Sequence, residues 1–260
     1  MGVTDAVLTF LFNALWQVPL VAASAGLISG LWRTAAARDR SGLFLAAAFT
    51  CAVLPAASVG LAAREQPMAT VVAPMLAFER PVVMATVTHV TAPFRPETAD
   101  LLVLLFAAFV AGRLLVLARA WIRCRRILRE AGARPSASTR VLARECALHF
   151  GVARVDVRLS DRVPSPLTLG LSVIVLPRAI DSAAEDVRRA ALGHEMAHVR
   201  RRDFAWNVAV SIAGAAVSFH PAWWLLRRRL DVARESACDE SVCAAWMRCY
   251  ACSQIRSMLK

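Results

Sequence analysis

From Ala6 to Trp32 the chain runs without one charged side chain, a stretch longer than the roughly 20 residues a helix needs to cross a hydrocarbon core. Two further runs follow, Gly42 to Ala63 and Leu101 to Ile122, the last interrupted only by Arg113 and Arg119. Three such segments point to a polytopic α-helical membrane protein. Composition agrees, since 58% of the 260 residues are hydrophobic and the mean hydropathy of +0.51 lies well above that of an ordinary soluble domain. The first run is too long for a secretory signal peptide, and its basic residues Arg33, Arg38 and Arg40 follow the apolar stretch rather than precede it, which argues against cleavage.

Charge orients these spans. The loop between the first two carries three arginines against Asp39, and the third leads into Arg123, Arg125, Arg126 and Arg129, so both ends are expected in the cytoplasm. The connector 64–100, with Pro67, Pro74, Pro81, Pro93 and Pro96 and a near balance of charges, is expected on the opposite side. The expected division is a membrane domain over 1–122, with spans at about 6–32, 42–63 and 101–122, followed by a cytoplasmic domain over 123–260. The net charge of +12 resides almost entirely in arginines beside the apolar runs. It fits membrane topology, and no direct nucleic-acid partner is expected. Thiols on the cytoplasmic side stay reduced, so no disulfide framework is expected.

Within 123–260, Ser136 to about Phe150 reads as a helix, Val155 to Leu159 alternates as a strand, and Leu167 to Leu176 is rich in Leu, Val and Ile with glycine punctuation. Ser182-Ala183-Ala184-Glu185 fits a capping box that opens a helix running to about Arg202. Inside that helix lies His194-Glu195-Met196-Ala197-His198. Residues four apart share a helix face, so His194 and His198 can bind one tetrahedral Zn2+ while Glu195 acts as general base toward an attacking water. The pentapeptide alone also arises by chance. A second cluster, Arg234-Glu235-Ser236-Ala237-Cys238-Asp239, offers what a catalytic zinc site lacks at that point: Glu235 as a third protein ligand and Asp239 as an acceptor that orients a histidine.

Together these segments resemble the BlaR/MecR family of integral-membrane zinc metallopeptidases, the beta-lactam sensor-transducers and antirepressors. The resemblance rests on Pro164-Ser165-Pro166 with Gly170, on Val173 to Pro177, on His194 to Asp203, on Phe219-His220-Pro221 with Trp223, and on Glu235 to Asp239. It implies a cytoplasmic α+β zincin-like (gluzincin) domain with His194, His198 and Glu235 on zinc and Glu195 as the base. It also implies that Leu167 to Pro177 supplies a strand edge for an extended substrate. The implied activity is that of a zinc metalloendopeptidase of the bacterial inner membrane, which cuts itself or a cytoplasmic regulator such as a transcriptional repressor in signal transduction. The implied partners are the lipid bilayer and a protein substrate, with a homodimer left open. A non-proteolytic sensor or scaffold that keeps a structural zinc site is the alternative. His220 departs from the family pattern, which has a small amide residue before the proline. Relatives usually continue through another span into an outer sensor, so this chain reads as either a minimal form or a truncated one.

Sixteen helical residues over 204–219 would reach only about 24 Å, short of the roughly 30 Å hydrocarbon core. A crossing there would also put Glu235 on the face opposite His194. The expectation is a helix buried in the domain or lying in the interface, with Pro221 starting the return to the site. His220 is expected to make local hydrogen bonds only. His89, His149, Tyr250 and the Cys249/Cys252 pair are given no catalytic role.

Overall fold

The computed structural model describes the backbone of residues 1–64 and 96–258 and the side chains of 1–64 and 97–246. The connector 65–95, with His89, and the side chains of Tyr250, Cys249 and Cys252 lie outside the described residues. Three long helices come first: α1 (Val3–Leu31), α2 (Ala37–Arg64) and α3 (Pro96–Glu130). All three are long and apolar enough to cross a membrane, and none of the most apolar stretch of α3 is buried inside the protein. That exposed apolar surface requires lipid or another cover. α1 and α2 pack through small residues, Ala14, Val18 and Ala25 against Ala47, Ala48 and Cys51, which lets the two backbones approach closely.

α4 (Ala137–Phe150) follows, capped by the Ser136 hydroxyl on the Thr139 N–H and closed by Gly151 at φ 65°. Then come β1 (Asp156–Ser160), β2 (Leu167–Leu169) and β3 (Val173–Pro177). They form one mixed sheet in the order β1-β3-β2, with β1 parallel and β2 antiparallel to β3. The stretch 167–177 is therefore a hairpin turned at Gly170, whose φ of 67° suits a glycine. Among the described residues, β2 is the strand of this hairpin with a free edge, since β3 is paired on both sides. Alternation along β3 sends Ile174 and Leu176 into a core with Leu142, Phe150, Leu192 and Met196, while Val175 faces Ile127 and Leu128 at the end of α3.

A short α5 (Arg178–Asp181) leads to α6 (Glu185–Arg201). The capping box expected at Ser182 does not form. Pro177 opens α5 one turn early, so Ser182 ends that helix with its hydroxyl on the Ala179 carbonyl, and Ala184 starts α6 without a side-chain cap. α6 stops at Arg202, which is left-handed at φ 56°, a conformation that costs a non-glycine residue about 1 kcal/mol. α7 (Asp203–Ala213) departs at once, and α8 (Pro221–Met258) begins after a tight turn. His220 serves that turn, its Nδ1 accepting from the Ala222 N–H at 3.1 Å.

α7 and the start of α8 make a hairpin beside the apolar helices. Its open end lies at Trp121, 6.3 Å from Phe204, and its closed end at Phe106 and Phe109, 6.3 and 6.4 Å from Phe219. The turn brings Gly214 so close to buried Trp223 that a Cβ there would fall within the indole ring. Gly214→Ala is accordingly expected to cost about 1–3 kcal/mol by overpacking, read as a fall of several degrees in the thermal midpoint of the detergent-purified chain. An unchanged midpoint would mean that the helices do not pack this tightly.

Candidate metal centre

The hairpin returns the chain to the end of α6, and α8 then runs past the HEMAH turn. His194 Nε2 and His198 Nε2 lie 3.2 Å apart, and Glu235 Oε2 is 3.3 Å from the first and 3.8 Å from the second. Two donors about 2.0–2.1 Å from a tetrahedral zinc would sit roughly 3.3 Å from each other. The three atoms present this spacing, and the donor set of two neutral imidazoles and a carboxylate is one zinc accepts. The residues fit the metal.

Each imidazole is held from behind. His194 Nδ1 meets Asp239 Oδ1, one turn beyond Glu235 on α8, at 3.2 Å. His198 Nδ1 meets Asp203 Oδ2 at 2.8 Å, a partner that the sequence pattern conceals because Arg201 to Asp203 reads as a basic helix end. The left-handed Arg202 folds Asp203 back toward the face it would otherwise leave. With Nδ1 engaged, Nε2 of each ring is left free to bind a metal.

Asp203 is almost wholly buried. Burial works against its charge, but the hydrogen bond with His198 and the nearby guanidinium groups of Arg201 and Arg234 keep its pKa below the usual carboxylate value. Burial also disfavours charge on His198, yet the hydrogen bond to Asp203 and the charges of Glu195, Glu235 and Asp203 prevail and raise its pKa above 6.5. A metal must displace that proton, so zinc affinity is expected to fall as the pH drops through this raised value. Competition titrations at roughly pH 8 and roughly pH 6 check the sign, tighter binding being expected at the higher pH. Asp203→Asn removes the anionic acceptor and is expected to weaken zinc about 10- to 100-fold, measured by the same competition assay. An unchanged affinity would reduce Asp203 to a packing role.

Glu195, buried on the next position of α6, carries the one carboxylate of the group that is held from the sheet: the Thr168 hydroxyl donates to its Oε2 at 2.7 Å. Thr168 belongs to the free edge strand β2, and no sequence pattern singles it out. His194, Glu195, His198 and Glu235 line one open cleft of about 330 Å³, bordered by Leu167 and Thr168 on one side and Phe204 and Arg234 on the other. A carboxylate able to move a proton, two imidazoles and a strand edge thus face the same space.

A second group, His198, Asp203 and Cys238, also lies within metal-holding distance. Burial and the Asp203 charge push the Cys238 thiol far up from its ordinary value, and the thiol donates toward Asp203 at 3.6 Å. Without a metal, Cys238 thus serves Asp203 as a hydrogen-bonding neighbour.

A model of the family described as BlaR1 peptidase M56 matches residues 41–258. The regulatory protein BlaR1 of Bacillus licheniformis is 29% identical over 91 residues, a stretch that makes up 34% of this chain and 15% of that protein. The chain therefore spans only a small part of that relative.

Proposed function

The chain belongs to the M56 peptidase family of BlaR1, and from that premise we propose that it is a membrane-embedded zinc metallopeptidase performing site-specific cleavage of a protein. The observation that carries this is the convergence of His194 Nε2, His198 Nε2 and Glu235 Oε2 in one cleft with the Glu195 carboxylate. Zinc, when bound by His194, His198 and Glu235, polarises the scissile carbonyl and acidifies water. Glu195 takes the proton of the attacking water on its carboxylate and later delivers it to the leaving amine. Thr168 fixes one of its oxygens so that the other is free for that transfer. The β2 edge supplies backbone groups with which an extended substrate segment pairs, bringing its scissile bond over the cleft. A purely structural zinc site would need the ligands but not Glu195 turned into the cleft, which disfavours the scaffold reading.

The same geometry supports an orientation in the membrane. Arg201 Nη2 donates to Ser41 Oγ of α2 at 2.8 Å, and the Glu240 carboxylate of α8 caps the Ala37 N–H at the start of α2 at 3.0 Å. The sheet packs on the end of α3 that carries Arg123 to Arg129. Both arginine-rich ends therefore lie on the side of the site, and the positive-inside rule assigns that side to the cytoplasm. The α7–α8 hairpin enters the bilayer from that side and returns to it, which leaves α1, α2 and α3 as the full spans. A cytoplasmic protein, either a regulator or the chain itself, is then the accessible substrate.

Incubating the purified, zinc-loaded chain with a peptide library and mapping new N-termini by mass spectrometry tests the activity. Cleavage that a chelator stops and zinc restores is the expected result. No cleavage of the library or of the chain itself would leave the scaffold reading.

A further inference from the structure

Beside the proposed zinc cleft, and sharing Asp203 and Arg234 with it, a second cavity of about 400 Å³ opens between α2, α6, α7 and α8. Four guanidinium groups line it, those of Arg38, Arg200, Arg201 and Arg234, together with the hydroxyls of Ser41 and Ser241. Among the described residues Asp203 is the one carboxylate in the lining, and it is already shared: Arg201 Nε lies 3.2 Å from Oδ2, Arg234 Nε 3.7 Å from Oδ1, and His198 Nδ1 2.8 Å from Oδ2, while Arg234 Nη1 also meets Asp231 outside the lining at 3.4 Å. Glu240, a neighbouring acid on α8, is committed to the Ala37 N–H. Four cations against one divided anion give the cavity a positive excess, which water screens least at Arg234, itself 7% exposed.

The position of the cavity narrows its ligand. Its wall on α2 runs from Arg38 through Ser41 to Gly42 and Leu45, the turns at which the charged start of α2 gives way to its apolar run. Trp206, 43% exposed, closes the apolar side, as aromatic residues do at a membrane interface. When α2 crosses a bilayer, this boundary lies at headgroup depth. We propose that the cavity is a binding site for a phosphate group, the arginines taking its oxygens in paired hydrogen bonds and Leu45 and Trp206 accommodating the glycerol and acyl start of an anionic phospholipid. Its occupant would touch Arg201 and Arg234, the residues that hold Asp203 against His198, so the lipid surroundings would reach the metal centre through one carboxylate. Binding there does not require the chain to be a peptidase.

The test uses the whole chain in a neutral detergent, titrated calorimetrically with inorganic phosphate, with a short-chain phosphatidylglycerol and with a short-chain phosphatidylcholine. Arg38 and Arg200 are exposed on their helices, so Arg38→Gln with Arg200→Gln is compared with an equal charge loss at the exposed Arg144→Gln and Arg154→Gln. Saturable binding that weakens about tenfold or more in the first pair and stays within about twofold in the second is expected. Phosphatidylglycerol binding tighter than both other probes identifies the lipid headgroup as the source, whereas equal affinity for phosphate and phosphatidylglycerol supports the site with a soluble phosphate as its occupant. No saturable binding, or binding that the Arg38/Arg200 pair leaves at the wild-type level, overturns the proposal.

Discussion

Replacing Glu195 by Gln is expected to lower peptide hydrolysis by about 10²- to 10⁴-fold, the range that positioned acid–base catalysis contributes, while the chain keeps its zinc. Gln has the shape of Glu and can still accept the Thr168 hydroxyl through its carbonyl oxygen, so α6 and its contact with β2 stay intact. What is lost is the carboxylate that the proposed mechanism uses to take and return a proton. His194 and His198 each find their metal-facing partners and their supports without Glu195, which is why metal content separates a catalytic loss from collapse of the site. Rates and zinc content measured on the same preparations decide the matter. Equal hydrolysis by wild type and Glu195→Gln would exclude Glu195 as the base.

His194→Ala is the second large effect. Structural zinc sites bind with about 10–16 kcal/mol spread over their ligands, so one lost imidazole costs about 3 kcal/mol or more, at least a hundredfold in affinity. Glu235→Ala is expected to weaken zinc less, since a water can occupy the place of one carboxylate oxygen, and elemental analysis after dialysis shows the order: about one zinc per wild-type chain, less in Glu235→Ala and none in His194→Ala. Neither substitution is expected to unfold the chain. α6 is anchored by Leu192, Met196 and Ala197 in the core beneath the site, and α8 by Cys238 and Ala245, which lie in the same cluster. Retained zinc in His194→Ala would place the metal elsewhere.

Much of this site is legible in the sequence because its parts are written in helical spacing. His194 and His198 share a face by their separation of four, and Asp239 shares one with Glu235 by the same interval, whereas the pairing of Asp239 with His194 appears only in the structure. The long apolar runs mark α1 to α3 in the same way, and Ser136 and Gly151 mark both ends of α4. Asp203 is not legible, because its approach to His198 depends on a left-handed Arg202, and arginine does not announce that conformation as glycine would. Thr168 escapes for a different reason: its hydroxyl acts across a tertiary contact, on an edge strand three residues long. The capping box fails through competition, Pro177 nucleating a helical turn that consumes Ser182. The arginine cavity arises from three separate helices, and only their packing turns scattered charges into one wall.

If two imidazoles and one carboxylate hold a single zinc, X-ray absorption at the zinc edge of the purified wild-type chain will show a first shell of nitrogen and oxygen at about 2.0–2.1 Å, with the outer scattering of two imidazole rings. A sulfur scatterer at about 2.3 Å would refute the three-ligand site and move the metal to His198, Asp203 and Cys238.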